Sequence, residues 1–234
     1  MTPPTERLID PGLWTAVDHY FSDLLAPHDA ALDAALKQSA AAGLPEIQVS
    51  TTQGKLLNLL ARLQGARAIL EIGTLGGYST IWMARALPKD GRLVTLEADP
   101  KHAEIARANI ARAGLGGLVD VRLGPALETL PKLAKEKLGP FDLIFIDADK
   151  PSIPEYFAWS LKLSRRGSLI IVDNVVREGA VIDRSSSDTS VQGVRRFNEL
   201  LAAESRVTAT AIQTVGTKGY DGFAIALVTA DPKS

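Results

Sequence analysis

The chain has 234 residues, a formal net charge of -1 and a pI near 6.3, and it contains no cysteine. The absence of cysteine excludes disulfide bonds, zinc–thiolate sites and a thiol nucleophile, and the near-neutral charge argues against a nucleic-acid-binding protein. No apolar run is long enough to span a membrane, and the first ten residues lack the apolar core of a signal peptide. We therefore expect a soluble cytoplasmic protein without nucleic-acid or membrane partners.

The first 66 residues show helical patterns and no strand pattern. Helices are predicted at Leu13–Leu25, Asp29–Ala41 and Thr52–Leu63, and Asp10-Pro11 is typical of a helix cap followed by a first-turn proline. We expect these helices to form a cap within a single domain of residues 1–234. The cap could be a lid, a substrate wall, a dimer surface or extra packing on a sheet edge.

Strand and helix patterns alternate from Ala68 onward, which indicates a doubly wound, Rossmann-like α/β sheet with helices on both faces. Short apolar strands are predicted at Ala68–Ile72, Arg92–Glu97, Val119–Leu123, Phe141–Asp147 and Ser168–Asp173. Helices are predicted at Ser79–Leu87, Pro100–Ala113, Ala126–Glu136, Pro154–Ser164 and Ser190–Ala203. Two late strands follow, near Val207–Thr214 and Phe223–Thr229, joined through Gly216, Gly219 and Gly222.

A glycine-rich turn follows the first predicted strand, in the sequence EIGTLGGYST that begins at Glu71. A strand, a glycine turn and a helix start form the usual site of a nucleotide-like ligand in such a sheet. Leu75 breaks the dinucleotide spacing G-x-G-x-x-G, and no Lys-Ser or Lys-Thr follows to form a P-loop. The carboxylate of Glu71 suits a ligand that carries an amine, such as S-adenosylmethionine (SAM).

Four further positions around this turn are candidates for cofactor binding. Gly73 and Gly77 allow the backbone to approach a ligand closely, and Ser79 can cap the following helix or contact the ligand. Glu97 ends the second strand, roughly 20 residues beyond the turn, where an acid binds ribose hydroxyls in doubly wound nucleotide sites. That last feature is shared with NAD enzymes, and Glu71 together with the broken spacing favours SAM.

Acidic residues also follow the fourth and fifth predicted strands. Asp147, Asp149 and Lys150 come after the fourth strand, and Asp173 and Asn174 after the fifth. Because parallel strands present their carboxyl ends at one edge, Asp147, Asp173 and Asn174 should place three oxygen ligands together. Such ligands suit Mg²⁺, or Ca²⁺ or Mn²⁺. Lys150 is either a plain ion-pair partner or a base in this crevice.

Taken together, these motifs resemble those of the small cation-dependent O-methyltransferases, the group that includes catechol and caffeoyl-CoA O-methyltransferases. The resemblance runs from about Val49 to the end of the chain. It is carried by the glycine turn, by Glu97, and above all by the joint presence of Asp-Ala-Asp-Lys from Asp147 and Asp-Asn from Asp173. One departure is Ile153, where members of this family often have an aromatic residue near the acceptor.

The resemblance implies a seven-stranded sheet whose last strand is antiparallel, a homodimer, and roles for individual residues. Glu71 would bind the methionine amine and Glu97 the ribose. Other parts of the cofactor would contact Val49, Gly73, Thr74, Ser79, Ala126 and Asp149. Asp147, Asp173 and Asn174 would bind the cation, and Lys150 would act as the general base beside Asp147.

The expected reaction transfers the methyl group of SAM to a hydroxyl of a small aromatic vicinal diol. Three alternatives stay open at this point. The first is a methyltransferase that uses no metal, the second an NAD-dependent oxidoreductase, and the third a cofactor-binding module without catalysis.

Overall fold

A computed structural model describes residues 10–26 and 29–231. Most of the first ten residues, in which no signal peptide is expected, therefore lie outside the described residues. Seven strands form one sheet: β1 (Ala68–Ile72), β2 (Arg92–Glu97), β3 (Val119–Leu123), β4 (Leu143–Ile146), β5 (Leu169–Asp173), β6 (Val207–Gly216) and β7 (Gly219–Val228). Their spatial order is β3-β2-β1-β4-β5-β7-β6.

The helices are α1 (Pro11–Leu25), α2 (Ala30–Ala41), α3 (Thr51–Leu63), α4 (Tyr78–Ala84), α5 (Pro100–Arg112), α6 (Ala126–Lys135), α7 (Ile153–Lys162) and α8 (Thr189–Ala203). Two short 3₁₀ segments occur at Lys150–Ser152 and Arg177–Ile182. Strands β1 to β5 pair in parallel, and β7 runs antiparallel to both β5 and β6. The doubly wound sheet with an antiparallel last strand is confirmed.

The central strands are buried on both faces, which explains why they read as continuous apolar runs. Every residue of β1 and β4 is buried. Because side chains alternate between faces, Leu70 packs into the core beneath α7 and α8, whereas Ile69 packs into the core beneath α3 and α4. The helices on each face therefore fix the position of the strand ends between them.

Several helices begin where the sequence supplies a capping side chain. Asp10, Asp29, Asp99 and Asp188 each accept hydrogen bonds from backbone amides in the first turn of α1, α2, α5 and α8. Ser50 does the same for α3, accepting from Gln53 N at 3.2 Å. These bonds satisfy amides that have no partner within the helix. The predicted helix starts agree with the structure within one residue, except that α1 begins at Pro11, two residues before the predicted Leu13.

The structure corrects the connection between the last two strands. Gly216 and Gly219 flank the hairpin turn as predicted, but Gly222 lies inside β7, opposite Gln213. A Cβ atom at Gly222 would come within 2.3 Å of the carbonyl oxygen of Ile212. That glycine therefore permits close packing of two strands and is not a turn residue.

The predicted N-terminal helices are present, but they pack differently. α2 and α3 bury side chains such as Leu32 and Leu57 in the core on one face of the sheet, α2 against α4 and α5 and α3 against α4. α1 has no buried residue, and it lies beside β6, where Asp18 accepts a hydrogen bond from Thr217 N at 2.8 Å. Within the described ranges, no helix is both long and apolar enough to cross a bilayer.

The packing of α8 against the segment after β4 generates a stability prediction. Gly193 lies in α8, and a Cβ atom there would come within 2.3 Å of the carbonyl oxygen of Lys150. Alanine normally stabilises a helix by about 1 kcal/mol relative to glycine, but overpacking costs about 1–3 kcal/mol or more. We expect Gly193→Ala to lower the free energy of unfolding by about 2 kcal/mol net, measured by urea denaturation.

Gly117→Ala is the matched control, because a Cβ atom at Gly117 meets nothing within 4 Å. Its effect should stay within about 0.5 kcal/mol. Equal stability of the Gly193→Ala variant and the unmodified protein would show that this contact is looser than described.

Candidate active site

A cavity of about 700 Å³ opens at the carboxyl ends of β1, β2, β4 and β5. This is the edge at which doubly wound sheets bind their ligands. Most of the predicted site residues line it: Val49, Gly73, Thr74, Ser79, Glu97, Ala126, Asp147, Asp149, Lys150, Asp173 and Asn174. Glu71 and Gly77 do not line it; both lie behind its wall.

The glycine turn after β1 has two positions that only glycine suits. Gly73 has φ +98°, and a Cβ atom there would lie 2.0 Å from the carbonyl oxygen of Asp147. The turn therefore packs directly against the end of β4. Gly77 has φ +81° at the start of α4, and a Cβ atom there would face Ile110. Gly77 thus shapes the turn from behind the cavity wall.

Glu97 connects the end of β2 to this turn. Its Oε2 accepts hydrogen bonds from Thr74 N at 3.3 Å and Leu75 N at 2.8 Å, and its Oε1 accepts one from Asp99 N at 2.9 Å. Its side chain is 11% exposed and faces the cavity. A carboxylate has about four lone-pair positions, so Glu97 retains capacity for a ligand hydroxyl.

Glu71 is fully buried, and its carboxylate is surrounded by hydroxyl groups. Ser79 Oγ donates to Oε1 at 2.6 Å, Thr95 Oγ1 donates to Oε2 at 2.7 Å, and Thr80 donates to the same Oε2. Burial raises the pKa of Glu71 from 4.5 to about 7, while the three hydroxyl donors oppose that rise. Ser79 lines the cavity, so its hydroxyl lies between Glu71 and a ligand bound there.

Asp147 and Asp173 come together as the strand order requires. Ile146 of β4 pairs with Val172 of β5, so the two aspartates follow from adjacent positions of neighbouring strands. Burial, and then the negative charge of Asp147, raise the pKa of Asp173 to about 7, although Lys150, the amide of Asn174 and Gln53 lower it. The two carboxylates therefore repel one another inside the cavity wall.

The other side chains around this pair are hydrogen-bond donors. Lys150 Nζ lies 2.8 Å from Asp147 Oδ1, and Gln53 Nε2 donates to Asp173 Oδ2 at 2.8 Å. Asn174, with φ +59°, donates its backbone amide to Asp173 Oδ1 at 2.8 Å. The sequence pattern did not indicate Gln53, because it precedes Asp173 by 120 positions and lies on a helix without a motif.

These donors and acceptors fit a hard divalent cation. Two carboxylates and an amide side chain offer oxygen ligands, and a positive ion would relieve the repulsion that raises the pKa of Asp173. Residues 10–26 and 29–231 contain no cluster of three or more histidine, cysteine or acidic side chains suited to a metal. A cation would therefore depend on the Asn174 side chain or on ligand oxygens to complete its coordination.

The cavity lining also includes residues that were not predicted, among them Tyr156, Arg177 and Lys218. Tyr156 of α7 donates its hydroxyl to Asp149, and burial followed by this bond raises the pKa of the phenol above its ordinary value. Arg177 and Lys218 line the cavity beyond Asp173. Tyr156 follows Asp149 by seven positions, so the predicted helix could have placed it nearby, whereas no local pattern indicates Arg177 or Lys218.

The buried carboxyl group of Glu71 predicts a pH-dependent stability. Its pKa is higher in the folded protein, so the folded state binds more protons between pH 4.5 and about 7, and stability falls as the pH rises through that range. The full effect is at most about 3 kcal/mol. We expect Glu71→Gln to gain stability relative to the unmodified protein between about pH 5 and about pH 8, measured by urea denaturation.

Glu104→Gln provides the control, because Glu104 is exposed on α5 and its substitution should leave the pH profile unchanged. A Glu71→Gln variant whose stability follows the same pH profile as the unmodified protein would mean that Glu71 does not titrate in this range.

Comparison with known proteins identifies the family to which the chain belongs. The family model described as "O-methyltransferase" matches residues 25–227. A protein of Niastella koreensis named catechol O-methyltransferase is 59% identical over 92% of this chain and 98% of its own length. One of the same name from Mycobacterium tuberculosis is 53% identical over 91% of this chain and 94% of its own length.

Solved structures show the same relationship. The O-methyltransferase from Bacillus cereus in complex with SAH superposes with a TM-score of 0.93 and 62% identity, covering 94% of this chain and 100% of that one. TomG from Streptomyces achromogenes, in complex with SAM, gives a TM-score of 0.92 and 57% identity, covering 95% and 100%. These matches decide against the NAD-dependent oxidoreductase hypothesis. The chain belongs to the O-methyltransferase family, and it is a SAM-dependent O-methyltransferase.

Proposed function

We propose that this enzyme transfers the methyl group of SAM to one hydroxyl of a small catechol-like vicinal diol, with the help of a divalent cation, most suitably Mg²⁺. The observation that carries the proposal is the pair Asp147 and Asp173, set on adjacent strand ends beside the glycine turn. The two bacterial relatives named catechol O-methyltransferase support the acceptor class.

In this proposal the cofactor occupies the side of the cavity formed by β1 and β2. Glu97 binds the ribose hydroxyls, and Ser79, oriented by Glu71, lies at the methionine end. The remaining cofactor contacts are Val49, Gly73, Thr74, Ala126 and Asp149, with Gly77 shaping the turn from behind. The direct contact between Glu71 and the amine becomes a contact made through Ser79, since hydroxyl groups surround both oxygens of Glu71.

Asp147, Asp173 and Asn174 would hold the cation. A cation held there would supply positive charge that makes an acceptor hydroxyl easier to ionise, as it does for water. A phenol with a pKa of about 10 is mostly protonated at neutral pH, so a proton must leave before the oxygen can attack. Lys150 is the proposed general base. Its Nζ donates to Asp147, and the amine must be neutral before it can accept the proton of the acceptor hydroxyl.

The rest of the chain's contribution is positioning. Gln53 and the amide of Asn174 fix both oxygens of Asp173, and the packing of Gly73 against the backbone of Asp147 fixes the distance between the cofactor side and the acceptor side. Holding two reactants in line can supply about 7–11 kcal/mol of a barrier in favourable cases. Asp173 itself is buried, and the residues that contact it are partly buried.

Replacement of one carboxylate tests the proposal. We expect Asp173→Asn to lower kcat/KM for catechol by at least about 100-fold, because even the groups that only orient metal ligands are worth about 10–100-fold. SAM binding, measured by calorimetry, should change little, since the glycine turn and Glu97 are untouched. The activity of the unmodified enzyme should disappear in EDTA and return with Mg²⁺.

Asp90→Asn is the matched control, an exposed aspartate whose side chain is 72% accessible and which is absent from the cavity lining. Near-normal turnover of Asp173→Asn, or full activity of the unmodified enzyme in EDTA, would favour the metal-independent methyltransferase instead. Binding of SAM without turnover of any diol would favour the non-catalytic module.

We also propose that the protein is a homodimer that associates through α1 and β6. α1 exposes between 44% and 64% of six large apolar side chains, namely Leu13, Val17, Tyr20, Phe21, Leu24 and Leu25. The neighbouring edge strand β6 adds Ile212 and Val215, which are about half exposed. An apolar surface of this kind on a helix and an adjoining sheet edge is typical of an interaction site.

The cytoplasmic location stays a prediction of the sequence.

Charged substitutions on α1 test the dimer. We expect the double variant Phe21→Asp and Leu24→Asp to reduce the mass in solution from twice 25.0 kDa to 25.0 kDa, because it would bury charges at the interface. Light scattering after size exclusion measures the mass. Leu123→Asp, which alters a half-exposed leucine on β3 at the opposite edge of the sheet, should leave it unchanged. A monomeric unmodified protein would refute the proposal.

A further inference from the structure

The acceptor end of the cavity carries more positive charge than the methyl transfer uses. In the described part of the chain, three lysine or arginine side chains line the cavity: Lys150, Arg177 and Lys218. Lys150 donates to Asp147 at 2.8 Å, and Lys218 donates to the carbonyl oxygen of Glu46 at 2.8 Å. The guanidinium of Arg177 has no comparable partner.

The contacts of Arg177 show how little of its hydrogen-bonding capacity the protein uses. Its Nη1 lies 3.8 Å from Asp221 Oδ2, which is beyond hydrogen-bond distance. Its Nε is buried and has no hydrogen-bond partner among the described residues. A guanidinium has five N–H donors, and leaving a buried donor unsatisfied is costly. The side chain is 31% exposed and lines the cavity, so its terminal Nη groups, and not the buried Nε, are the donors that a ligand oxygen can reach.

The backbone of Arg177, in contrast, is held firmly. The amides of Val176 and Arg177 both donate to Asp221 Oδ1 at 3.0 Å. Arg177 and Glu178 both have φ +54°, a left-handed conformation that costs roughly 1–2 kcal/mol for such residues. The backbone position of Arg177 is therefore fixed, although its guanidinium makes only a weak contact with Asp221.

The strand order places Arg177 on the acceptor side of the cavity. Across the sheet, the cavity meets β2 with Glu97, then β1 with the glycine turn, β4 with Asp147 and β5 with Asp173. Arg177 follows β5 and is bonded to Asp221 of β7, one strand further on. Neighbouring strands are about 4.8 Å apart, so Arg177 lies on the far side of the aspartates from the cofactor.

We propose that Arg177 is a specificity-determining residue that binds a carboxylate substituent of the acceptor, so that the preferred substrates are small vicinal diols carrying a carboxylate on the ring. The inference rests on the proposed function, because it places the diol at Asp147 and Asp173. A planar guanidinium matches a carboxylate through two parallel hydrogen bonds. The cavity of about 700 Å³ must hold the cofactor as well, which favours a compact acid over a large conjugate.

A matched pair of ligands tests this inference. The two ligands are 3,4-dihydroxybenzoate and 3,4-dihydroxybenzamide, which have the same diol and nearly the same shape but differ in charge. Calorimetry measures their binding to the protein loaded with S-adenosylhomocysteine and Mg²⁺, and kcat/KM is measured with SAM. We expect the unmodified enzyme to favour the benzoate by about 10- to 100-fold, the range of a charged hydrogen-bonded contact.

Arg177→Gln should abolish that preference by weakening the benzoate alone, and Arg177→Lys should restore part of it, because lysine keeps the charge but loses the planar pair of donors. Arg166→Gln removes the same charge from an exposed residue just before the amino-terminal end of β5, outside the cavity lining, and should leave the preference intact. Equal binding of both ligands to the unmodified protein would overturn the inference. An equal loss for both ligands in Arg177→Gln would overturn it too, since that pattern indicates a structural role.

The outcomes also separate this inference from the proposed function. Preferential binding of the benzoate that depends on Arg177, without methylation of either diol, would refute the proposed function and support the assignment of Arg177. Metal-dependent methylation of both diols, with no preference that depends on Arg177, would support the proposed function and refute the assignment.

Discussion

The close packing of the glycine turn against the end of β4 is the constraint on which the site depends. Gly73 approaches the backbone of Asp147 so closely that no Cβ atom fits between them. This contact puts the loop after β1 directly beside the carboxylates that follow β4 and end β5. Any side chain at Gly73 would push these two loops apart; in the proposed function they are the cofactor side and the acceptor side.

Four of the acidic side chains in or behind the cavity wall form two pairs with different surroundings. Glu71 and Glu97 accept three hydrogen bonds each from neighbouring hydroxyl or amide groups, so they stabilise the glycine turn and the start of the helix that follows it. Asp147 and Asp173 face one another and repel, with Lys150 and Gln53 as partial compensation. The negative charge is therefore concentrated where a cation and an ionised acceptor would meet.

Positively charged side chains lie beside and beyond these carboxylates. Lys150 is paired with Asp147 at the centre of the site, whereas Arg177 lies beyond Asp173 with much of its donor capacity unused. The charge of the cavity wall thus changes from β2 to β7: the carboxylate of Glu97 comes first, then the two aspartates with Lys150, then the guanidinium of Arg177. Such a gradient would orient a polar ligand as well as hold it.

The sequence by itself determined the order and type of the elements and the edge at which the site lies. Apolar runs, capping aspartates and glycines are local signals. The geometry of parallel strands brings Asp147 and Asp173 to one edge of the sheet, whatever the packing of the helices. Only the tertiary structure decided that Glu71 faces hydroxyl groups behind the cavity wall and that Gln53 donates to Asp173. It also decided that much of the hydrogen-bonding capacity of Arg177 is unused. These features depend on contacts between residues far apart in the chain, up to 120 positions for Gln53 and Asp173, and on side-chain packing that no local pattern records.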